Sequence, residues 1–233
     1  MCIGLETFND KQLDGLEFCQ KVYLLFDAIR AEQGGINRLR TRPSPLEKRL
    51  QDELLPICSY VQAHYRLGIR ISVCWRNGSQ SYDAELRQDG YLVERRLYPQ
   101  VAYLEVTNAM HQHEYLRWHL LADRNTKAVF APEGISGKQG STKSEPFVFR
   151  GQGHISRFVP IVISRIEEKA AKEYPPNTSL VVQCHLNSLY TAEDWRCLIS
   201  QVEAALPPLP FREVLLFDRV KEQITPIIFS GHV

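Results

Sequence analysis

The chain has 233 residues, of which 44% are hydrophobic and 24% are charged, proportions typical of a globular protein with a sizeable buried core. Its net charge of +1 gives no overall attraction to nucleic acid, so any basic surface must be local. No window approaches the roughly 18 consecutive apolar residues of a membrane span, and the N-terminal segment MCIGLETFND lacks the basic start of a secretion signal. We therefore expect a soluble, cytoplasmic protein with no membrane partner.

The six cysteines are spread singly along the chain, without a CxxC pair. Most of them lie in apolar segments, where cysteine behaves as a small hydrophobic residue. The sequence therefore predicts reduced thiols rather than a zinc site or a disulfide framework.

The N-terminal part of the sequence predicts two helices joined by a basic linker. The apolar spacing over residues 11–33 is helical, and a Gly-Gly pair follows it. The linker INRLRTRP covers residues 36–43. The motif Ser-Pro-Leu-Glu at 44–47 combines an N-cap, a proline at the first helical position and a capping-box glutamate, and so begins a helix over 45–66 that Pro56 should kink.

The middle of the chain predicts an antiparallel meander. The stretch IRISVCWR (69–76) alternates apolar and polar residues, and the Asn-Gly turn after it leads into SQSYDAELR (79–87). Two further strands, YLVERRLY (91–98) and VAYLEVT (101–107), complete the meander.

The last part of the chain predicts alternating helices and apolar strands. The expected elements are a helix over 111–123, a short strand KAVF (127–130), a long Gly/Ser/Lys-rich loop over 131–153, a helix over 157–174, a strand over 179–186, a helix to 206 and a strand over 212–218. Such alternation favours parallel pairing in the sheet centre, so the fold class is α/β, an antiparallel meander followed by parallel-type strands. We divide the chain into an N-terminal helix and linker (1–43) and an α/β domain (44–233), or treat both as one domain.

Three acidic residues fall on the less apolar sides of these elements. Glu105 and Thr107 share one face of the strand over 101–107, because successive side chains on a strand point to opposite faces. Asp83 lies on the strand after the hairpin, and Glu53 lies on the second helix. Converging carboxylates are what Mg²⁺ needs, since it takes oxygen ligands and keeps several waters. A metal held there would promote phosphodiester hydrolysis.

A helix with a glutamate, a hairpin-like run with an aspartate, a strand with a Glu-x-x pattern and a further helix and strand resemble the restriction-endonuclease-like superfamily, whose motif is PD-(D/E)xK. The resemblance covers roughly residues 45–122 and extends through RIEEKAAKEYPPNTSLVV towards residue 186. It implies a mixed sheet flanked by helices and a Mg²⁺-dependent nuclease, with Asp83 and Glu105 as metal ligands and Glu53 as the supporting helical carboxylate. The family's lysine position holds Thr107, which orients a water by hydrogen bonding but supplies no positive charge.

Basic residues in two segments are the predicted contacts to a nucleic acid backbone, because lysine and arginine bind phosphates. They are Arg38, Arg40 and Arg42 of the linker, and Lys138 and Lys143 of the long loop.

Each of these interpretations has an alternative. Asp83 and Glu105 could be ordinary sheet carboxylates paired with a neighbouring arginine (Arg87, Arg95 or Arg96). Glu53 could lie on a solvated helix border. The whole protein could be a catalytically inactive α/β subunit that acts as an interaction or scaffold protein, with a protein partner or as a homo-oligomer, and the missing motif lysine favours this second hypothesis.

Overall fold

A computed structural model describes residues 4–123, 125–126, 128–149, 153–186 and 190–229. Its centre is a mixed seven-stranded sheet in the order β1-β2-β3-β4-β7-β8-β9. The strands are β1 (Gln12–Asp14), β2 (Arg70–Trp75), β3 (Ala84–Asp89), β4 (Val101–Ala109), β5 (Ile135–Ser136), β6 (Lys143–Ser144), β7 (Thr178–Cys184), β8 (Glu213–Asp218) and β9 (Gln223–Ile228). The helices are α1 (Gly15–Ala31), α2 (Gly35–Thr41), α3 (Pro45–Arg49), α4 (Leu55–His64), α5 (Tyr91–Glu94), α6 (Glu114–Ala122), α7 (Gly153–Ala170) and α8 (Ala192–Ala205).

The sheet confirms the predicted α/β class. Strands β1 to β4 form an antiparallel meander, and β4, β7 and β8 are parallel to one another in the sheet centre. The edge strand β9 pairs antiparallel with β8 and was missed by the sequence analysis, because its apolar residues are interrupted by Pro226 and polar positions. In the described part of the chain, no helix is long and apolar enough to cross a membrane.

Two apolar cores cover the two faces of the sheet. The first contains residues of α1 and α4 and one face of β4, including Leu104 and Val106. The second contains residues of α7 and α8 and the other face of β7 and β8. The alternation along β4 therefore sends Leu104 into the first core and leaves Glu105 on the opposite side. Strand β1 and helix α1 belong to the same sheet and core as the later elements.

The predicted basic linker over 36–43 is wrong in its secondary structure, because residues Gly35–Thr41 form helix α2. The preceding Gly34 adopts a φ of 76°, a left-handed conformation that favours glycine and lets α2 begin directly after the end of α1. The first predicted helix starts later than expected, since Gln12–Asp14 pair with β2 as strand β1. Asp14 then caps α1 by accepting from the amide of Leu16 at 2.9 Å.

The capping box over 44–47 is confirmed, but the predicted long helix is divided in two. A turn of π-helix over Leu50–Leu54 separates α3 from α4. Pro56 has no backbone N–H to donate, and the wider turn just before it accommodates that loss. The irregular turn carries both Asp52 and Glu53.

The predicted strand over 91–98 is wrong, because the chain turns into the short helix α5 there. Gly90 has a φ of 110°, and a Cβ on it would lie 2.8 Å from the carbonyl oxygen of Gly68. This close approach lets the amide of Leu92 donate to the same carbonyl at 2.9 Å, which holds α5 across the end of the sheet rather than in it.

The long loop over 131–153 contains a small hairpin, formed by β5 and β6. Both predicted phosphate contacts of this loop, Lys138 and Lys143, lie on the hairpin and are exposed. The described residues of the predicted KAVF strand, 128–130, are not in a strand. Lys127, the first residue of that predicted strand, lies outside the described residues.

A buried polar network ties α4 to the sheet. The carboxylate of Glu213 accepts hydrogen bonds from the Tyr60 hydroxyl at 2.7 Å and the Ser179 hydroxyl at 3.1 Å, and lies 3.2 Å from Nε2 of His64. Burial raises the pKa of Glu213, but the contacts with His64, Tyr60 and Ser179 outweigh burial and lower the pKa below its ordinary value. The network therefore stabilises the fold in its ionised form.

We predict that Glu213→Gln lowers the free energy of unfolding at pH 7 by about 1–3 kcal/mol. A carboxyl group with a lowered folded-state pKa stabilises the fold above its unfolded pKa, and this contribution is lost as the pH falls through the folded value. The difference from the parent chain should therefore persist between pH 7 and pH 5 and shrink once the pH falls below the ordinary value of 4.5, as measured by urea denaturation at pH 7 and pH 3 followed by circular dichroism. The exposed Glu203→Gln on α8 is the control, and an equal loss at both pH values would contradict the electrostatic explanation.

Candidate functional site

The pairing of β3 with β4 brings Asp83 beside Glu105. Ala84 is in register with Leu104, and the backbone amide of Asp83 donates to the Leu104 carbonyl at 2.7 Å. Asp83 directly precedes β3, and Glu105 follows Leu104 in β4, so the two residues are neighbours beside this pair. Two carboxylates from different segments of the chain therefore lie together on the sheet, on the side opposite the first core.

A lysine from α7 completes this cluster. The Lys169 ammonium group donates to Oε1 of Glu105 and forms an ion pair with it. Glu105 is only 6% exposed, so this pair lies in an environment of low polarity where charges interact strongly. Lys169 is in the last turn of α7, which leads through a short connection into β7, the strand that pairs with β4.

Asp83 is held by the backbone of β4. Its Oδ2 accepts from the amide of Val106 at 2.7 Å. Burial, followed by the negative charges of Glu53 and Glu105, raises the pKa of Asp83 to about 7 from its ordinary value of 3.8, against the opposing effect of the Val106 amide and Lys169. The positive charge around Asp83 is therefore too small to keep this carboxyl group fully ionised at neutral pH.

Glu105 is under the same influence. Burial raises its pKa, and the hydrogen bond and charge of Lys169 only partly offset that rise. A tyrosine hydroxyl lies near the pair as well, since burial and then the charges of Glu105 and Asp83 raise the pKa of Tyr174. Among the described residues nothing accepts or donates a hydrogen bond at that buried Tyr174 hydroxyl. The cluster thus combines two carboxyl groups with raised pKa values, one ammonium group and a neutral hydroxyl.

Glu53 is not on a solvated helix border, since it is only 8% exposed. Its carboxylate pairs with Arg49 and accepts from Nε1 of Trp75 at 3.0 Å. It lies close enough to the other two carboxylates to raise their pKa values. Glu53 therefore acts on Asp83 through its charge, while its own oxygens are bound by protein groups.

Thr107 lies on the same face as Glu105, as predicted, and is buried in register with Val182 of β7. Two of the three arginines proposed as ordinary partners of the two carboxylates are engaged elsewhere. Arg87 pairs with Glu85, and Arg95 lies over the ring of Tyr91. Among the described groups, the ion-pair partner of Glu105 is Lys169, which lies on α7 and not in the meander.

The predicted basic residues divide into two groups. Lys138 and Lys143 have exposed side chains and are free to meet a ligand. The arginines of α2 are bound by the protein: Arg38 pairs with Glu32 and Glu47, and Arg40 donates to the carbonyl of Leu121 at 2.9 Å.

Arg42 is buried against α6 and the π-helical turn. It pairs with Asp52, and its guanidinium group lies 4.2 Å from the centre of the Trp118 ring. The three arginines therefore hold α2 against α3, α6 and the π-helical turn.

Asp83 and Glu105 are the two carboxylates that the sequence predicts as magnesium ligands. In the described part of the chain, no three His, Cys, Asp or Glu side chains are placed together so as to hold a metal ion. Mg²⁺ does not require three, because it is commonly bound by one or two carboxylates and takes its other oxygens from water and substrate phosphates. The raised pKa of Asp83 is the feature that a divalent cation would relieve.

Sequence reasoning missed Lys169 and Tyr174. Both lie in the segment RIEEKAAKEYPPNTSLVV, which covers the end of α7, the connection after it and the start of β7. A helix that leads into a strand parallel to β4 must end beside β4. This constraint is the signal that could have found both residues.

A comparison with protein-family models, curated protein sequences and solved structures finds no match to this chain.

We predict that Asp83→Asn stabilises the metal-free protein at pH 8 by about 1–3 kcal/mol. The folded pKa of about 7 exceeds the ordinary 3.8, so the folded chain binds more protons between these values and its stability falls as the pH rises through them. Asparagine keeps an oxygen for the Val106 amide and removes the charge.

Urea denaturation with a chelator at pH 8 and pH 4 measures this difference, which should be small at pH 4. The matched control is Asp89→Asn, an exposed aspartate paired with Arg70. A loss of stability in Asp83→Asn at pH 8 would contradict the assignment of a repulsive carboxylate pair.

Proposed function

We propose that this protein is a metal-dependent phosphodiesterase of the restriction-endonuclease-like class, acting on nucleic acid at Asp83, Glu105 and Lys169. The observation that carries the proposal is the ion pair between Lys169 and Glu105 beside Asp83. In this proposal, Lys169 provides the positive charge that Thr107, at the family's lysine position, cannot provide. The charge comes from α7 instead of from β4.

The order of elements supports the same class. A helical segment with Glu53 precedes a meander with Asp83 and Glu105, and a helix and a parallel strand follow. This is the order on which the sequence resemblance rests. The inactive-subunit hypothesis depended mainly on the missing lysine, and Lys169 is the residue that we propose in its place.

The proposed cofactor is Mg²⁺, held by Asp83 and Glu105, with Glu53 contributing negative charge rather than an oxygen ligand. When bound it supplies a concentrated positive charge that polarises the phosphodiester and the attacking water. This assignment agrees with the raised pKa values of both carboxyl groups, which indicate a site that is short of positive charge.

The chain's own groups would then position the reactants. An ammonium group has three donors, and with one on Glu105 the others of Lys169 can bind the attacking water or a non-bridging phosphate oxygen. The neutral hydroxyl of Tyr174 is a second donor near the carboxylates. Hydrolysis forms one P–O bond to water and breaks one P–O ester bond, and donors aimed at the phosphate oxygens stabilise the charge that develops on them.

Contacts to the rest of the nucleic acid are proposed for Lys138 and Lys143. Both are exposed on the β5–β6 hairpin, and phosphate contacts of this kind carry affinity without sequence specificity. Arg38 and Arg40 are unsuitable for contacts along an extended backbone because each is already bound within the protein, and Arg42 is unsuitable because its side chain is buried below the surface.

We predict that Lys169→Met lowers the rate of metal-dependent cleavage by about a hundredfold or more, as expected for loss of a charged donor at the reacting phosphate. The assay follows labelled single- and double-stranded DNA and RNA with Mg²⁺ or Mn²⁺. Methionine keeps an unbranched side chain that is one atom shorter and carries no charge and no donors.

Lys21→Met is the matched control, because Lys21 also pairs with a glutamate, Glu17, but on the surface of α1. Thr107→Ala should cost less than Lys169→Met if the lysine has taken over the motif position. Absence of cleavage by the parent chain on every substrate, together with no heat of Mg²⁺ or Mn²⁺ binding in calorimetry, would overturn the proposal.

A further inference from the structure

A cavity rich in arginine lies at the carboxyl ends of the parallel strands. Its volume is about 510 Å³, and it is bounded by α1, α2 and α6 and by the residues that end β7 and β8. Open α/β sheets commonly bind ligands at this end of their strands, and the volume is within the range of small-molecule sites. Its lining contains five arginines but only two carboxylates; the arginines are Arg30, Arg40, Arg42, Arg117 and Arg219.

The guanidinium groups in this cavity are incompletely bonded. The Arg42 side chain is only 7% exposed, and within the described part of the chain its buried Nε has no hydrogen-bond partner. The same holds for Nη1 of Arg219 and Nε of Arg117. A buried donor without an acceptor costs free energy, and an anion in the cavity would satisfy these three donors after a small movement of the side chains that line it.

A chain of hydrogen bonds fixes Arg42 in place. Nε2 of His185 lies 3.0 Å from Oδ1 of Asn108, whose amide nitrogen donates to Asp52 at 3.1 Å, and Asp52 pairs with Arg42. Burial, then the charges of Arg42 and Arg219, lower the pKa of His185 to about 3, so its ring is neutral and donates from Nε2. Arg42 is thus held rigidly by Asp52 and by the ring of Trp118.

Electrostatic repulsion in the cavity favours an anion. Burial and then the charge of Arg42 lower the pKa of Arg219, whose guanidinium group lies 5.6 Å from the Phe26 ring centre. An anion between the two arginines would relieve this repulsion and satisfy their free donors at once. Arginine favours phosphate in particular, because its planar fork of donors matches two phosphate oxygens.

One further group indicates that the ligand is an organic phosphate. Gln183 also lines the cavity, and its buried Oε1 has no hydrogen-bond partner among the described residues. An amide oxygen accepts a hydrogen bond, which a bare phosphate dianion cannot donate but a hydroxyl or amino group can.

We propose that this cavity binds the phosphate monoester group of an organic ligand, of the size of a nucleoside monophosphate, through Arg42, Arg117 and Arg219. The ligand is either a free nucleotide or the phosphorylated end of a nucleic acid strand, since both present the same group. The site is separate from the Asp83 cluster and does not depend on cleavage there.

Calorimetry with the whole chain at fixed ionic strength tests this proposal, using adenosine 5′-monophosphate, inorganic phosphate and adenosine as probes. We expect saturable binding of the nucleotide, weaker binding of phosphate and none of adenosine. Arg219→Gln should weaken nucleotide binding by about tenfold or more, as loss of a charge-assisted hydrogen bond does. Arg196→Gln, an exposed arginine paired with Glu193 on α8, is the matched control and should bind normally.

Arg30→Gln provides a second test that does not risk the fold, because Arg30 lines the same cavity but its side chain is 59% exposed. It should weaken binding several-fold. Asp83→Asn should leave binding unchanged, so failure of the phosphodiesterase proposal and failure of this one are distinguishable. No saturable binding of nucleotide or phosphate, or equal affinity in Arg219→Gln and the parent chain, would overturn the inference.

A pair of oligonucleotides distinguishes the two sources of the phosphate. If an oligonucleotide with a 5′-phosphate binds at least tenfold more tightly than both its 5′-hydroxyl form and the mononucleotide, with the preference abolished in Arg219→Gln, the ligand is a strand end. If the mononucleotide binds as tightly as the phosphorylated oligonucleotide, the ligand is a free nucleotide.

Discussion

The pairing of β3 with β4 sets two carboxylates side by side in the sheet, and the surrounding polar groups compensate for their repulsion. The Val106 amide stabilises the charge of Asp83, and Lys169 stabilises that of Glu105. These contacts do not suffice, because the pKa of Asp83 is still raised to about 7. A site that remains short of positive charge after its protein contacts are made is suited to a divalent cation.

The sheet carries a second cluster, which is short of negative charge rather than of positive charge. Around Arg42 and Arg219 the protein supplies more positive charge and more donors than its own acceptors satisfy. The two clusters are close along the chain, since Glu53 of the first and Asp52 of the second are consecutive residues in the π-helical turn. That irregular turn therefore presents two successive acids to different partners, Trp75 on one side and Asn108 on the other.

The sequence predicted what local alternation determines and missed what depends on distant contacts. The alternation within 101–107 was sufficient to place Glu105 and Thr107 on one face, because that face follows from strand geometry alone. Lys169 lies 64 positions from Glu105 in sequence, so only the packing of α7 on the sheet reveals the pair. Residues 36–43 were interpreted as a basic linker because charge suggests solvent, whereas Arg42 is buried by stacking and ion pairing.

Anomalous diffraction from crystals of the protein soaked in Mn²⁺ at pH 8 is the most direct test of the account, because it locates the ion without requiring a known substrate. The account predicts an anomalous peak coordinated by carboxylate oxygens of both Asp83 and Glu105, and its loss in Asp83→Asn. A map with no peak between these two residues at a saturating Mn²⁺ concentration, or with a peak only at other carboxylates, would contradict it.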